Sequence, residues 1–160
     1  MNGLFSIHCD PKWLKMFRSE AKKRFPHEIY GVFLGEMVEN QILEVEKLVI
    51  CPFELTSASQ WKVTIPNMWL QKVAREAKSA GLRPLGDIHT HCAPLKAVNY
   101  AEPVPSKGDW ESVHHFRRLL GPFYSFMGVM SLNAGPVKLR SDVKFFPVWH
   151  EIDIVWRKDD

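Results

Sequence analysis

The sequence predicts an α+β fold, a mixed and curved β-sheet packed with about three helices. Two observations carry this reading. Stretches that open near Pro11, Pro66 and Lys107 space their apolar residues as amphipathic helices do. Around them lie short runs that are either wholly apolar or alternating, punctuated by turn chemistry such as Asn133-Ala134-Gly135-Pro136.

Leu4 to His8 reads as a first strand. Asp10 and Pro11 open the first helix, Asp as the N-cap and Pro at the first helical position. Trp13, Leu14, Phe17, Ala21 and Phe25 share its apolar face, and Pro26 ends it. Glu28 then stands at the mouth of a mostly apolar run, Ile29 to Leu34, which reads as a central strand buried on both faces. A turn around Glu39 and Asn40 leads to Ile42–Ile50, whose first half alternates as an antiparallel partner does. Cys51-Pro52 ends that strand, Leu55 to Gln60 reads as loop, and Trp61 to Ile65 as a short strand.

Pro66 opens a second helix with Trp69, Leu70, Val73, Ala77 and Ala80 on one face and Gly81 just past its end. Leu85 to Ile88 reads as a short buried strand, and His89 and His91 leave its end on the same side. A segment containing Pro94, Pro103 and Pro105 leads to a third helix, Lys107 to about Leu120, spaced by Trp110, Val113, Phe116 and Leu120. Phe123–Met130, Val137–Arg140, Phe145–Trp149 and Ile152–Trp156 complete the strands. With no internal repeat, low-complexity tract or linker, residues 1–160 read as a single domain long enough for a core.

Composition narrows the function classes. The net charge of +3 is mild, and Lys22-Lys23-Arg24 and Arg117-Arg118 read as solvated helix faces, too small for a nucleic-acid footprint. Cys9, Cys51 and Cys92 are odd in number and make no disulfide framework, which favours a reducing compartment. No apolar run approaches transmembrane length, and no basic region followed by an apolar stretch opens the chain. The expectation is a cytoplasmic protein with neither nucleic acid nor membrane as partner.

The chemistry concentrates between Leu85 and Asp109. Two imidazoles at i and i+2 on an extended backbone reach one cation. Neutral imidazole suits zinc, and a catalytic zinc takes three protein ligands and leaves one position for water. Asp109, in the first turn of the third helix, is the third ligand in this reading. Each piece also has an ordinary explanation. A His-x-His is unsurprising among seven histidines, and Ser106 and Asp109 fit a plain capping pair. Glu28 by itself reads as an exposed carboxylate at a strand edge.

Together, Glu28, His89-Thr90-His91, Ser106 and Asp109 resemble the JAMM signature of the MPN/JAB-domain zinc metalloproteases. The match includes the Glu-x-x-Gly-x-x-x-Gly context formed by Glu28, Gly31 and Gly35. It extends from the first helix to roughly Met130 and is similar to small single-domain prokaryotic JAB deubiquitinase-like peptidases. The resemblance implies an MPN/JAB-like, cytidine-deaminase-like fold and one Zn2+ per chain on His89, His91 and Asp109. It also implies Glu28 as general base and acid, with Ser106 helping to stabilise the oxyanion. Two departures stand out: Cys92 occupies the place where the family usually has Pro, and the gap from His91 to Ser106 is longer than the family's.

On that resemblance the protein is a zinc metallopeptidase, a JAMM isopeptidase. The resemblance implies hydrolysis of the amide after the C-terminal tail of a ubiquitin-like protein, in deconjugation or precursor processing, through metal-activated water. The implied partners are the ubiquitin-like protein and its conjugates, beside E1- and E2-like enzymes of the same operon, in a bacterial setting such as antiphage defence. One alternative is a peptidase that releases an amino acid from the C-terminus of a sulfur-carrier protein. Another is a non-catalytic MPN binding or scaffold module that keeps zinc for structure.

Several residues keep two readings at this level. Cys92 is either a further zinc ligand or a small loop residue. Asp87 is either an acceptor that orients an imidazole or a turn residue. His27, His114, His115 and His150 carry no spacing argument and read as surface or satisfied histidines. The segment from Cys92 to Pro105, with Leu95, Val98 and Tyr100, is expected to border the channel for the substrate tail.

Overall fold

The computed structural model describes residues 4–38, 42–56, 65–93, 101–135, 138–148 and 153–158. In chain order these form β1 (Leu4–Cys9), α1 (Pro11–Arg24), β2 (Tyr30–Val38), β3 (Ile42–Ile50), a 3-10 turn (Phe53–Leu55), α2 (Asn67–Ser79), β4 (Arg83–Ala93), α3 (Lys107–Leu120), β5 (Phe126–Asn133), β6 (Arg140–Pro147) and β7 (Asp153–Lys158). The strands make one seven-stranded sheet in the order β6-β5-β4-β2-β3-β1-β7. The sheet is mixed. β1 is parallel to β3 and β7, and β4 to β5, whereas β2 is antiparallel to both of its neighbours and β6 to β5. The outermost strands, β6 and β7, approach one another, so the sheet curls as its twist accumulates.

Helices cover both faces. Asp10 caps α1 by accepting from the Lys12 N–H at 2.9 Å. Its Phe17 and Ala21 are buried with Ile7, Ile29, Phe33 and Leu43 on one face of the sheet. Trp69, Leu70, Val73 and Ala77 of α2 and Leu120 of α3 are buried with Tyr30, Val32 and Leu34 on the other. β2 lies in the middle of the sheet, and Tyr30 to Gly35 are all buried because helices close both sides.

β4 and β2 are joined with a register shift that sets the site. Phe33 pairs with Gly86 and Leu34 with Pro84, leaving Leu85 as an extra residue. Such a bulge changes which side chains point to which face. Leu85 and Ile88 both enter the core under α1, whereas Asp87, His89 and His91 face α2 and α3. Thr90, between the histidines, faces the α1 side and is fully buried. It clasps the entrance of β2: Thr90 Oγ1 accepts from the Ile29 N–H at 2.9 Å, and the Thr90 N–H donates to the Ile29 carbonyl at 3.1 Å. Glu28 is thereby fixed next to the histidine strand.

The structure corrects the sequence reading in several places. β4 does not end at Ile88. It continues through both histidines to Ala93, because parallel pairing with β5 runs unbroken to Ala93 opposite Asn133. Among the described residues, the expected strands Val137–Arg140 and Phe145–Trp149 give way to β6, whose exposed Arg140, Asp142 and Lys144 alternate with half-buried Ser141, Val143 and Phe145 at the sheet edge; Val137 and Trp149 themselves lie outside the described residues. β5 starts at Phe126 and not at Phe123. Ala80 is exposed at the end of α2 and leaves its apolar face. Arg24 is no free surface cation: it reaches Glu20 Oε1 at 3.0 Å and the Cys51 carbonyl at 2.9 Å. The expected turn at Glu39 and Asn40, most of the strand Trp61–Ile65, His150 and the loop residues Leu95, Val98 and Tyr100 lie outside the described residues.

The clasp gives a direct stability test. Thr90→Val keeps the side-chain shape but strands the buried Ile29 N–H, at a cost of about 1–3 kcal/mol. The urea midpoint is expected to fall with the slope unchanged, while Thr90→Ser stays near wild type. An unmoved midpoint in Thr90→Val would show that the clasp contributes nothing.

Candidate metal centre

The site is assembled by a βαβ unit. β4 and β5 are parallel neighbours, so the chain must leave the C-terminal end of β4 and return through a helix. That helix is α3, and its N-terminus therefore starts beside the end of β4, where the histidines are. Ser106 caps it. Ser106 Oγ accepts from the Asp109 N–H at 3.1 Å, and Asp109 Oδ2 accepts from the Ser106 N–H at 2.8 Å.

The same Asp109 oxygen meets both histidines. His89 Nε2 lies 3.0 Å and His91 Nε2 3.1 Å from Asp109 Oδ2, and the two ring nitrogens are 3.1 Å apart. The capping reading of Asp109 is thus borne out, and the same oxygen faces both ring nitrogens as the ligand reading requires. His91 Nδ1 sits 3.3 Å from the Glu102 carbonyl, an acceptor that favours a proton on Nδ1 and leaves Nε2 facing the cluster. Three donors about 3 Å apart have the separation expected of ligands that each bond one cation at about 2 Å. Two imidazole nitrogens and a carboxylate oxygen are a donor set that suits zinc. These residues fit a metal.

Electrostatics agree with the geometry. Burial works to raise the Asp109 pKa, but hydrogen bonds from His89 and His91 outweigh it and hold the carboxyl far below the usual carboxylate range. Burial works to lower that of His91, yet the Asp109 hydrogen bond and the nearby Glu28 charge raise it above the ordinary histidine value. Glu28 and Ser106 line the same cavity as the three donors, a space of about 410 Å³.

The structure decides between the two readings of Cys92. Alternation along β4 turns its Sγ to the α1 face, 3.9 Å from the His27 carbonyl and from Thr90 Oγ1, where it packs on the core. Burial pushes its pKa up to about 12, so it stays a thiol. It is not a ligand in this arrangement. Both ends of the Cys92–Pro105 segment do lie at the site. Ala93 is paired to Asn133, the Asn133 side chain holds the Ala101 backbone at 2.8 and 2.9 Å, and Glu102 reaches His91.

Asp87 is neither the imidazole acceptor nor the turn residue that the sequence left open. It is buried, and its Oδ2 accepts from the Tyr30 hydroxyl at 2.8 Å and the Tyr124 hydroxyl at 2.9 Å. Sequence reasoning missed both tyrosines. The only local signal was the period of two that puts Asp87 on the histidine face. Burial raises both tyrosine pKa values well above the ordinary one, with Asp87 adding to it, so both hydroxyls remain donors. Tyr30 is held by Phe116, stacked at 5.5 Å, and by the edge of Trp69 at 6.2 Å. Among the other histidines, His115 Nε2 bonds Asn67 Oδ1 at 2.9 Å, and His27 packs edge-on against Phe53.

Burial also raises the Asp87 pKa to about 6. Between about pH 4 and about pH 6 the folded chain then keeps a proton that the unfolded chain has lost, so stability falls as pH rises through that window. In metal-free protein, Asp87→Asn should gain on wild type across this window, by at most about 3 kcal/mol at roughly 1.4 kcal/mol per pKa unit. Parallel stability-versus-pH curves for the two proteins would contradict the raised value.

Residues 10–130 match the family of prokaryotic homologs of the JAB domain. No curated protein matches the sequence. Among solved structures, the solution structure of protein DSY2949 from Desulfitobacterium hafniense is similar at a TM-score of 0.60 and 17% identity, over 96% of this chain and 94% of that one. That likeness is one of fold. AF2198, a JAB1/MPN domain protein from Archaeoglobus fulgidus, aligns at a TM-score of 0.49 and 17% identity, over 96% of this chain and 97% of that one. The family match spans well over half of the sequence, and the chain belongs to the prokaryotic homologs of the JAB domain.

Proposed function

We propose that this protein is a zinc-dependent peptidase that hydrolyses the amide after the C-terminal tail of a ubiquitin-like protein, in deconjugation or precursor processing. The observation that carries the reading is that Glu28 and Ser106 share one cavity with the His89, His91 and Asp109 donors. Family membership supports it.

A zinc ion held by these three residues would supply Lewis acidity and lower the pKa of water to about 7. Glu28 takes the proton from the attacking water and delivers it to the leaving amine. Ser106 Oγ already accepts from the Asp109 N–H, which leaves its own proton free to donate to the developing oxyanion. His91 is kept in the required tautomer by the Glu102 carbonyl. The tail enters as an extended strand whose terminal glycines let its backbone approach the recessed centre. E1- and E2-like conjugation enzymes are the accompanying partners in this proposal.

Purified protein is expected to hold about one zinc per chain, and His89→Ala/His91→Ala to lose both metal and hydrolysis. Full zinc occupancy in that double variant would remove the site. Glu28→Gln cannot accept a proton, so zinc should stay while turnover of a ubiquitin-like fusion falls by about 10²–10⁴-fold. Near wild-type turnover would exclude Glu28 as the base. Because the Cys92 thiol faces away from the centre, Cys92→Ser should keep its metal content, and zinc loss in that variant would contradict the placement.

A further inference from the structure

The cavity does not end at the three donors. It runs as a slot between one face of β4 and one face of α3. Asp109, Ser112 and Phe116 line it from the helix at i, i+3 and i+7, and His91, His89 and Asp87 line it from the strand at i, i−2 and i−4. Exposure falls along the slot from Ser106, which is exposed, to Tyr30, Asp87 and Met127, which are at most 3% exposed. At this inner end Asp87 presents an unexplained acceptor. Its Oδ2 takes both tyrosine hydroxyls, but Oδ1 is buried with no partner among the described residues. A buried, unpaired carboxylate oxygen is costly, and such groups persist where they serve a ligand.

The walls say what kind of ligand fits. Tyr30, Phe116 and Met127 give the inner slot an apolar lining suited to a hydrocarbon stem. Glu28, Asp87 and Asp109 put three carboxyl groups on the cavity, and no lysine or arginine lines it among the described residues. Asp87 and His89 are two residue steps apart along the strand, a rise of about 6.6 Å, which a flexible four-carbon stem spans.

We propose that this inner chamber is a specificity pocket that takes a lysine side chain from a residue flanking the scissile amide, the stem against Phe116 and Met127 and the ammonium on Asp87 Oδ1. Asp87 then sorts substrates and takes no part in bond breaking. The assignment rests on the peptidase reading for the word substrate, but the chamber itself is testable by binding alone.

The test uses the zinc-loaded full chain and two probes of equal stem length, Nα-acetyl-lysinamide and Nα-acetyl-norleucinamide. Binding is followed by NMR at the Met127 methyl group. The lysine probe should bind at least ~10-fold more tightly and shift Met127, and Asp87→Asn should bring the two probes to about equal affinity. The wild-type comparison needs no variant, so a folding defect in Asp87→Asn leaves the test decisive. Equal binding of the two probes by wild type, or no shift at Met127, overturns the proposal. A second arm compares tail peptides carrying lysine or norleucine on either side of the cleaved bond, with a lysine preference in kcat/KM of at least ~10-fold expected at one side. Cleavage of the tail peptides without any lysine preference overturns the chamber and leaves the peptidase reading standing. Selective binding of the lysine probe with no cleavage of any peptide does the reverse.

Discussion

A single oxygen, Asp109 Oδ2, ties the architecture to the site. It accepts the Ser106 N–H that begins α3, and it lies 3.0 and 3.1 Å from the two imidazole nitrogens near the C-terminal end of β4. The carboxylate also sits in the first turn of a helix, where the macrodipole favours negative charge. Moving the helix start by one residue would lose the cap and the donor together. The parallel β4–β5 pairing makes this arrangement possible, because it obliges the connecting helix to start over the end of β4.

The second constraint is parity along β4. Leu85 is an extra residue opposite β2, and beyond it every second side chain is committed to one layer. Asp87, His89 and His91 fall to the layer of α2 and α3, while Thr90 and Cys92 fall to the layer of α1. The two layers have different chemistry for that reason. Thr90 spends its hydroxyl on the backbone of Ile29, and Cys92 is an inert thiol packed among apolar neighbours. A thiol one residue from a histidine is thus kept away from the His89, His91 and Asp109 donors by pleat geometry alone.

The tyrosine pair on Asp87 shows the opposite balance. Two hydroxyl donors compensate one of its oxygens, and burial still raises the pKa of the carboxyl. An apolar residue there would pack without that penalty, so the arrangement is costly for folding. Local conflicts of this kind collect where a protein binds or reacts, and this one lies in the wall of the cavity that holds the three donors.

The candidate donor set was legible in the sequence because its signals are local. His89 and His91 share a strand face by period alone, the Ser106–Asp109 cap is written within one helical turn, and the three helices announce their starts through Asp10, Pro66 and Ser106. Strand order was not legible, nor was the run Arg140–Pro147 as one strand, since pairing with β5 and not local spacing sets the limits of β6. The environment of Asp87 was equally hidden. Its two partners lie 57 and 37 residues away in the chain, and nothing near either tyrosine points to it. By itself the sequence determined which residues hold ligand chemistry and how they are spaced, because spacing along one strand or helix depends on neighbours in the chain. Tertiary structure alone decided which of them meet, which side of the sheet Cys92 takes and what surrounds Asp87, because those outcomes depend on pairing between strands that are distant in sequence.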